Sequence, residues 1–301
     1  MATDLDAPGA TPPRATAPGR RARRSRTGTP YALITPAVAY LLLVFVTAML
    51  LVVSYSLRHE STAALVAPVD MSTWAGYLTD GYYWGVLGTT LRIALEVVVL
   101  TLLVAYPTAW LLSRMRRGVR FAAAVLVLFS PVLVSVVVRS YGWILLLADN
   151  GPIAAVSPVD LLYHEAGVVI ALVHVELPFA VFPLMTVMAG LPDRVLEAAA
   201  DLGAGPVRRF LRVVLPLTLP GVVAAAQIVF ALSISAFATP ALLGGGRVQV
   251  LSELIYANIA ELNWPLAAVQ ALVLLAVSLT VLATFNVLNR RVEASRREGT
   301  R

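Results

Sequence analysis

The chain has 301 residues, 59% of them hydrophobic and 13% charged, with a formal net charge of +6. Average soluble domains carry about 25% charged residues, so an ordinary soluble globular protein and a disordered one are both excluded. There is no cysteine and no lysine, which removes disulfide frameworks, thiolate metal sites, catalytic thiols, lysine Schiff bases and any Walker A phosphate loop.

Residues 1–30 are rich in Pro, Ala, Gly, Thr and Arg without apolar periodicity, and read as a disordered tail. Arg20, Arg21, Arg23, Arg24 and Arg26 precede an uncharged run, Tyr31–Leu57. That run is too long for a signal peptide and long enough to span a bilayer as a helix, which takes about 20 residues. Five further apolar segments follow: Gly85–Ser113 (charges Arg92 and Glu96), Phe121–Ala148 (Arg139), Ala166–Leu191 (Glu176), Val213–Gly246 and Trp264–Asn289. In the fifth, Pro216 and Pro220 predict that the crossing begins near Leu217 or later. The expectation is an all-α polytopic membrane protein with six transmembrane helices; a β-barrel would alternate in segments of about ten residues.

The arginines test this topology. Nineteen of 23 fall in the N-terminal tail, the loop after the second crossing, the segment after the fourth and the C-terminal tail, residues 291–301 together with Arg290. All of these lie on one side of a six-helix chain. The opposite loops hold only Arg58 and Arg247 against Glu60, Asp70, Asp80, Asp149, Asp160, Glu165, Glu253 and Glu261. Positive charge is retained in the cytoplasm, so both termini are expected to be cytoplasmic. The basic excess reports topology in a membrane lipid setting and predicts no nucleic-acid partner.

Between the fourth and fifth crossings, residues 191–206 read Leu-Pro-Asp-Arg-Val-Leu-Glu-Ala-Ala-Ala-Asp-Leu-Gly-Ala-Gly-Pro. Pro192 suits a helix start, Asp193 suits its dipole, and Gly203 suits a left-handed end. A helix of about ten residues is not stable alone in water, so something must pack on it. Val195, Leu196, Ala199 and Leu202 follow helical spacing, while Glu197 and Asp201 lie four apart on another face. A second short helix is predicted from Pro206 to about Leu215, carrying Arg208, Arg209 and Arg212.

Glu197-Ala198-Ala199, Gly203 six residues after the Glu, and Leu215-Pro216 twelve beyond Gly203 resemble the EAA loop of ABC importer permeases. Arg139-Ser140-Tyr141-Gly142-Trp143, residues 235–246 and Asn263-Trp264-Pro265 are similar to permeases of the spermidine/putrescine type. The resemblance covers about residues 31–290 and implies an ABC importer permease (MetI-like) fold, a transmembrane domain over 31–290 with the EAA coupling loop at 191–216. It also implies a bacterial cytoplasmic (inner) membrane location. In such importers the EAA loop forms a cytoplasmic coupling helix that docks in a groove of a separate ATPase subunit, and an extracytoplasmic binding protein delivers the solute. By that resemblance Glu197 and Asp201 face the ATPase, Ala198 and Ala199 permit close approach, and Gly203 makes the turn. Implied partners are ABC ATPase subunits, a second permease chain of the same or different sequence, and a solute-binding protein. No cofactor is expected on this chain; ATP is used by the partner, and the chain is not itself an enzyme. Polyamine is the solute the resemblance favours; ferric iron chelates, oxyanions and organic ions are the alternatives.

Charges within the bilayer cost at least ~2.5 kcal/mol each on insertion scales. Counting from segment ends at ~1.5 Å per residue, with Gly85 as the outer end of the second crossing, Arg92, Glu96, Arg139 and Glu176 fall at similar depth. Arg92 and Glu96 form an i, i+4 pair, and Arg139 is expected to meet Glu176 across the third and fourth helices. Alternatively Glu176, two residues before Pro178, lines the path and meets a cationic solute. Ser233, Ser235, Phe237 and Thr239 are expected on the fifth helix, lining the path or letting helices pack closely. His164 and His174 form no metal set, and Gly244-Gly245-Gly246 reads as a flexible outer loop. An ion-driven secondary transporter is the competing class, for which Glu176 would be the coupling group. An intramembrane enzyme is disfavoured, because no G-x-S-x-G, HExxH or paired-Asp motif is present.

Overall fold

The computed structural model describes residues 29–58, 69–153, 155 and 160–298. Apart from residues 29 and 30, the predicted N-terminal tail lies outside them, as do Glu60 and residues 299–301. No strand occurs among the described residues. By its internal contacts the chain divides into residues 1–49 and 50–301.

The first helix, α1 (Thr29–Ser56), contains a long apolar stretch, Thr35–Ser56. A short helix α2 (Ser72–Thr79), not expected from the sequence, precedes α3 (Gly81–Arg114). Asp80 separates them by capping α3, its carboxylate accepting the Tyr82 N–H at 2.9 Å. The helix α6 (Glu165–Ala189) and the helix α9 (Leu215–Ser235) pack with α3 as the central layer. Ile93, Ala94, Val97, Ala105 and Ala109 of α3 meet Val168, Leu172, Ala180 and Leu184 of α6, and Ala225, Val229 and Phe230 of α9, in one buried cluster. Small residues on α3 and α9 let the backbones approach, as helix packing in lipid favours.

Arg92, near the start of α3, pairs with Glu165, the first residue of α6, and Arg114, the last residue of α3, pairs with Asp193. The two arginines are 22 residues apart, about 33 Å along a helix, against a hydrocarbon core of about 30 Å. The partner of Arg92 is Glu165, not Glu96, which is exposed on α3.

The third apolar segment is not one straight helix. It breaks into α4 (Val119–Leu133) and α5 (Val136–Leu147), bent by 98°. Pro131 weakens the hydrogen-bond ladder before the break. The Arg139 guanidinium then donates to the carbonyls of Pro131 (2.5 Å) and Val134 (3.3 Å), capping the end of α4. Among the described residues, five helices are long and apolar enough to cross a bilayer, and the bent pair supplies a sixth span only as a broken one.

Beyond α6 come α7 (Asp193–Asp201), α8 (Pro206–Arg209) and a π-helical turn, Phe210–Val214, that runs directly into α9. The fifth span thus begins well before Leu217. The looser turn, with Leu215 N–H bonded to Phe210 C=O, accommodates Pro216 in the first turn of α9. The same span ends at Ser235; a break at Ala236–Phe237 leads to α10 (Ala238–Gly244), and α11 (Leu251–Ala260) follows. The last helix, α12 (Trp264–Glu298), runs beyond Asn289 into the predicted C-terminal tail. Gly244–Gly246 forms a packed turn instead of a loose loop. Gly245 takes φ +53°, and a Cβ there would meet the Tyr163 ring at 2.2 Å.

Candidate functional site

Two regions concentrate the predicted functional residues. The first is the α7 segment. Pro192 is its cap, Asp193 opens it, and the helix is nine residues long. Its end is a Schellman motif: Gly203, at φ +76°, donates to Ala200 C=O (2.8 Å) and Ala204 N–H to Ala199 C=O (3.0 Å). No residue of α7 is buried. Leu196 and Ala199 are half-buried, and the helix rests on α8 and the π-turn. Glu197, Ala198 and Asp201 point outward. So does part of the apolar face: Leu202 is 88% exposed, and Val195, Val207 and Leu211 are also exposed. The apolar positions of this segment are only half used by the chain's own fold.

The second region is an open cavity of about 300 Å³ bordered by α5, α6, the end of α9, and α10. It gathers Glu176, Ser235, Phe237 and Thr239, together with Arg139. Leu172, Val175, Phe179 and Leu232 give it apolar walls. Glu176 lies 11 residues from Glu165, about 16 Å into α6, and is 3% exposed. Its Oε2 accepts a hydrogen bond from Ser233 Oγ at 2.7 Å. Glu176 is one of the residues that line the cavity.

The expected Arg139–Glu176 ion pair is absent. Arg139 lines the same cavity, but its guanidinium is held by the α4 carbonyls, and Glu176 is held by Ser233. The break in the third segment, invisible to apolar periodicity, gives Arg139 acceptors on its own chain. Phe237 and Thr239 are not on the fifth helix. Phe237 sits at the break, stacked on Tyr256 (5.2 Å between centroids), and Thr239 is buried in α10. Ser233 and Ser235 are on α9 as expected. Ser235 bonds to its own helix at Ala231 C=O and lines the cavity. His174 packs edge-on against Trp143, and His164 bonds the nearby Leu162 carbonyl.

Sequence reading missed Phe179, Val175 and Leu172 as cavity walls. Their only signal is a place on the same helix as Glu176, with Phe179 next to Pro178. It also missed Arg114–Asp193, although a basic residue ending one helix and an acidic one opening another is a legible sign.

Long apolar helices, a short exposed helix between two of them and an apolar-walled cavity lined by Glu176 and Arg139 are the features of a polytopic membrane protein. The comparisons agree. Residues 81–294 match the family described as binding-protein-dependent transport system inner membrane component, and the chain belongs to that family, the membrane component of ABC importers. It is 30% identical over 276 residues to the spermidine/putrescine transport system permease protein PotB of Haemophilus influenzae, covering 86% of this chain and 96% of that one. It is 28% identical to the PotB of Escherichia coli strain K12, covering 87% and 99%. It is 32% identical over 187 residues to the molybdenum transport system permease protein ModB of Azotobacter vinelandii, covering 58% and 82%. In fold it is similar to a chain of a bacterial alginate ABC transporter solved with an alginate-bound periplasmic protein, with TM-score 0.72, 14% identity and coverage of 88% and 94%. The chain is thus a multi-pass ABC permease of the inner membrane.

Proposed function

We propose that α7 is the coupling helix of this permease and that the cavity at Glu176 is part of the solute path. The observation that carries the first assignment is the helix itself. It is nine residues long, ended by a glycine in the left-handed region, unburied, and leaves Leu202 and Val195 exposed beside Glu197. Such a helix is not stable unaided, and an ATPase groove supplies the missing cover. Both chain termini and α7 then face the cytoplasm, following the arginine distribution. ATP binds to the partner, and this chain hydrolyses none. A second permease chain and an extracytoplasmic binding protein complete the importer.

For the solute, the relatives favour a polyamine, and the cavity offers suitable chemistry. The Glu176 carboxyl lines an apolar-walled space with two aromatic residues, Phe179 and Phe237. An alkylammonium would find its counter-ion there and its methylenes their walls. A second reading, a small anion, is favoured by Arg139 on the same cavity and by the likeness to a molybdenum permease. Uptake of radiolabelled spermidine and, separately, of radiolabelled molybdate by the reconstituted importer separates them. Spermidine uptake competed by putrescine supports the polyamine reading; molybdate uptake without spermidine uptake replaces it.

A further inference from the structure

The coupling helix needs a mechanical path into the bundle, and the structure offers one on α3. The side chains of α7 are not buried, and its helix contacts are with α8 and the π-turn. Its ion pair goes elsewhere: Asp193, the first residue of α7, meets Arg114, the last residue of α3. The Arg114 guanidinium also lies 4.7 Å from the centre of the Trp110 ring, one turn back on α3. A further turn back, Tyr106 bonds Thr218 Oγ1 at 2.8 Å and sets its ring edge-on to Phe210 at 5.4 Å. The inner end of α3 therefore grips both ends of the loop that carries α7. Arg114 holds the entry, and Tyr106 holds the exit, at the π-turn and α9.

We infer that Arg114 is a positioning residue for coupling: it transmits displacement of α7 to α3 and so to the layer that walls the cavity. This rests on the reading of α7 as the coupling helix. Without the Arg114–Asp193 pair, α7 rides on α8 and the π-turn, and the turn absorbs its motion, because i→i+5 bonding is looser than the α-helical ladder. The pair is half exposed, so it contributes little to stability, and its loss leaves the fold intact.

The chain contains no cysteine, so Ser235→Cys places a single thiol of this chain at the cavity. The assembled importer, purified with its ATPase and partner permease, is reconstituted and treated with N-ethylmaleimide, with and without ATP plus vanadate. Modification of the Ser235→Cys peptide is followed by mass spectrometry. With Arg114 present, nucleotide changes the labelling rate. Arg114→Gln is expected to reduce that change about fivefold or more, the lower end of ordinary site-to-site coupling, while the ATPase still co-purifies and hydrolyses ATP. Arg114→Lys retains the change, and exchange of the charges (Arg114→Glu with Asp193→Arg) restores a substantial part of it. A full nucleotide-dependent change in Arg114→Gln, or no recovery in the exchanged pair, overturns the inference. If Arg114→Gln does not assemble, loss of the change in both Arg114→Lys and the exchanged pair overturns it. Failure of the underlying reading looks different: Glu197→Arg would then still retain the ATPase.

Discussion

Arg92 meets Glu165 where α3 and α6 enter the apolar layer together, and Arg114 repeats the arrangement with Asp193 at the other end. The spacing of these pairs fits the hydrocarbon thickness, so they are expected to lie where the bundle meets headgroups. Half-exposed ion pairs of this kind contribute about 0–1 kcal/mol; their value here is to place the helices in depth. A water boundary follows near Arg92 instead of Gly85. With single cysteines on α3, Gly85→Cys and Thr89→Cys should react rapidly with a membrane-impermeant maleimide added from outside. Val99→Cys should not. Protection of Thr89→Cys would move the boundary outward again.

Glu176 and Ser233 make a second prediction. Glu176→Gln keeps an oxygen for the Ser233 hydroxyl and should fold, but it removes the ionisable carboxyl that lines the cavity. Spermidine uptake should fall about tenfold, the equivalent of about 1.4 kcal/mol of lost interaction, while assembly with the ATPase is unchanged. Ser233→Ala instead leaves a buried carboxylate oxygen without its donor. It should lower thermal stability in detergent by about 1–3 kcal/mol. Unchanged uptake in Glu176→Gln would remove Glu176 from the path.

Gly203 supports a ranking. Nothing lies within 4 Å of a Cβ built there, so substitution costs backbone conformation only. Gly203→Asn should be mild, because asparagine tolerates the left-handed region, and Gly203→Val worse by about 1–2 kcal/mol. Co-purification of the ATPase should follow the same order. Equal retention by both variants would show that the turn does not aim α7.

The carboxyl of Glu253, on α11, is raised above the ordinary carboxylate range by burial, offset in part by a backbone hydrogen bond at Val250. Its Oε2 is enclosed without a partner. The folded state therefore holds this proton to higher pH than the unfolded chain does. Stability from this group is full below the ordinary glutamate range and declines as pH rises through the raised value. Melting in detergent should occur at lower temperature at pH 8 than at pH 5, and Glu253→Gln should flatten that slope. A slope unchanged by the substitution would assign it to other groups.

Much of this was legible in the sequence because bilayers impose it. Uninterrupted apolar length identifies spans, and loop arginines give an orientation. The α7 segment was legible because its punctuation is local: Pro192, Asp193 and Gly203 each act on the nearest backbone groups. What escaped was set by tertiary contacts. Pro107, Pro178 and Pro183 sit inside unbroken helices, whereas Pro131 precedes a 98° bend; the difference lies in whether neighbours re-satisfy the freed backbone. The partner of Arg139 could not be read from depth alone, because that bend presents the α4 carbonyls to it. Phe237 and Thr239 were assigned to the right region but the wrong element, since a break at Ala236 leaves no mark in an uncharged run. The short helices α2 and α11 are too brief and mixed in polarity to show a period.

The central claim is that α7 joins this chain to an ATPase, and the direct measurement is capture of the tagged protein from native membranes in mild detergent. Mass spectrometry identifies what accompanies it, and phosphate release measures activity. The account predicts an ABC ATPase subunit and a second permease chain with the native protein, and loss of the ATPase with Glu197→Arg while the permease partner stays. A chain captured without an ATPase, or an ATPase held equally well by Glu197→Arg, would contradict it.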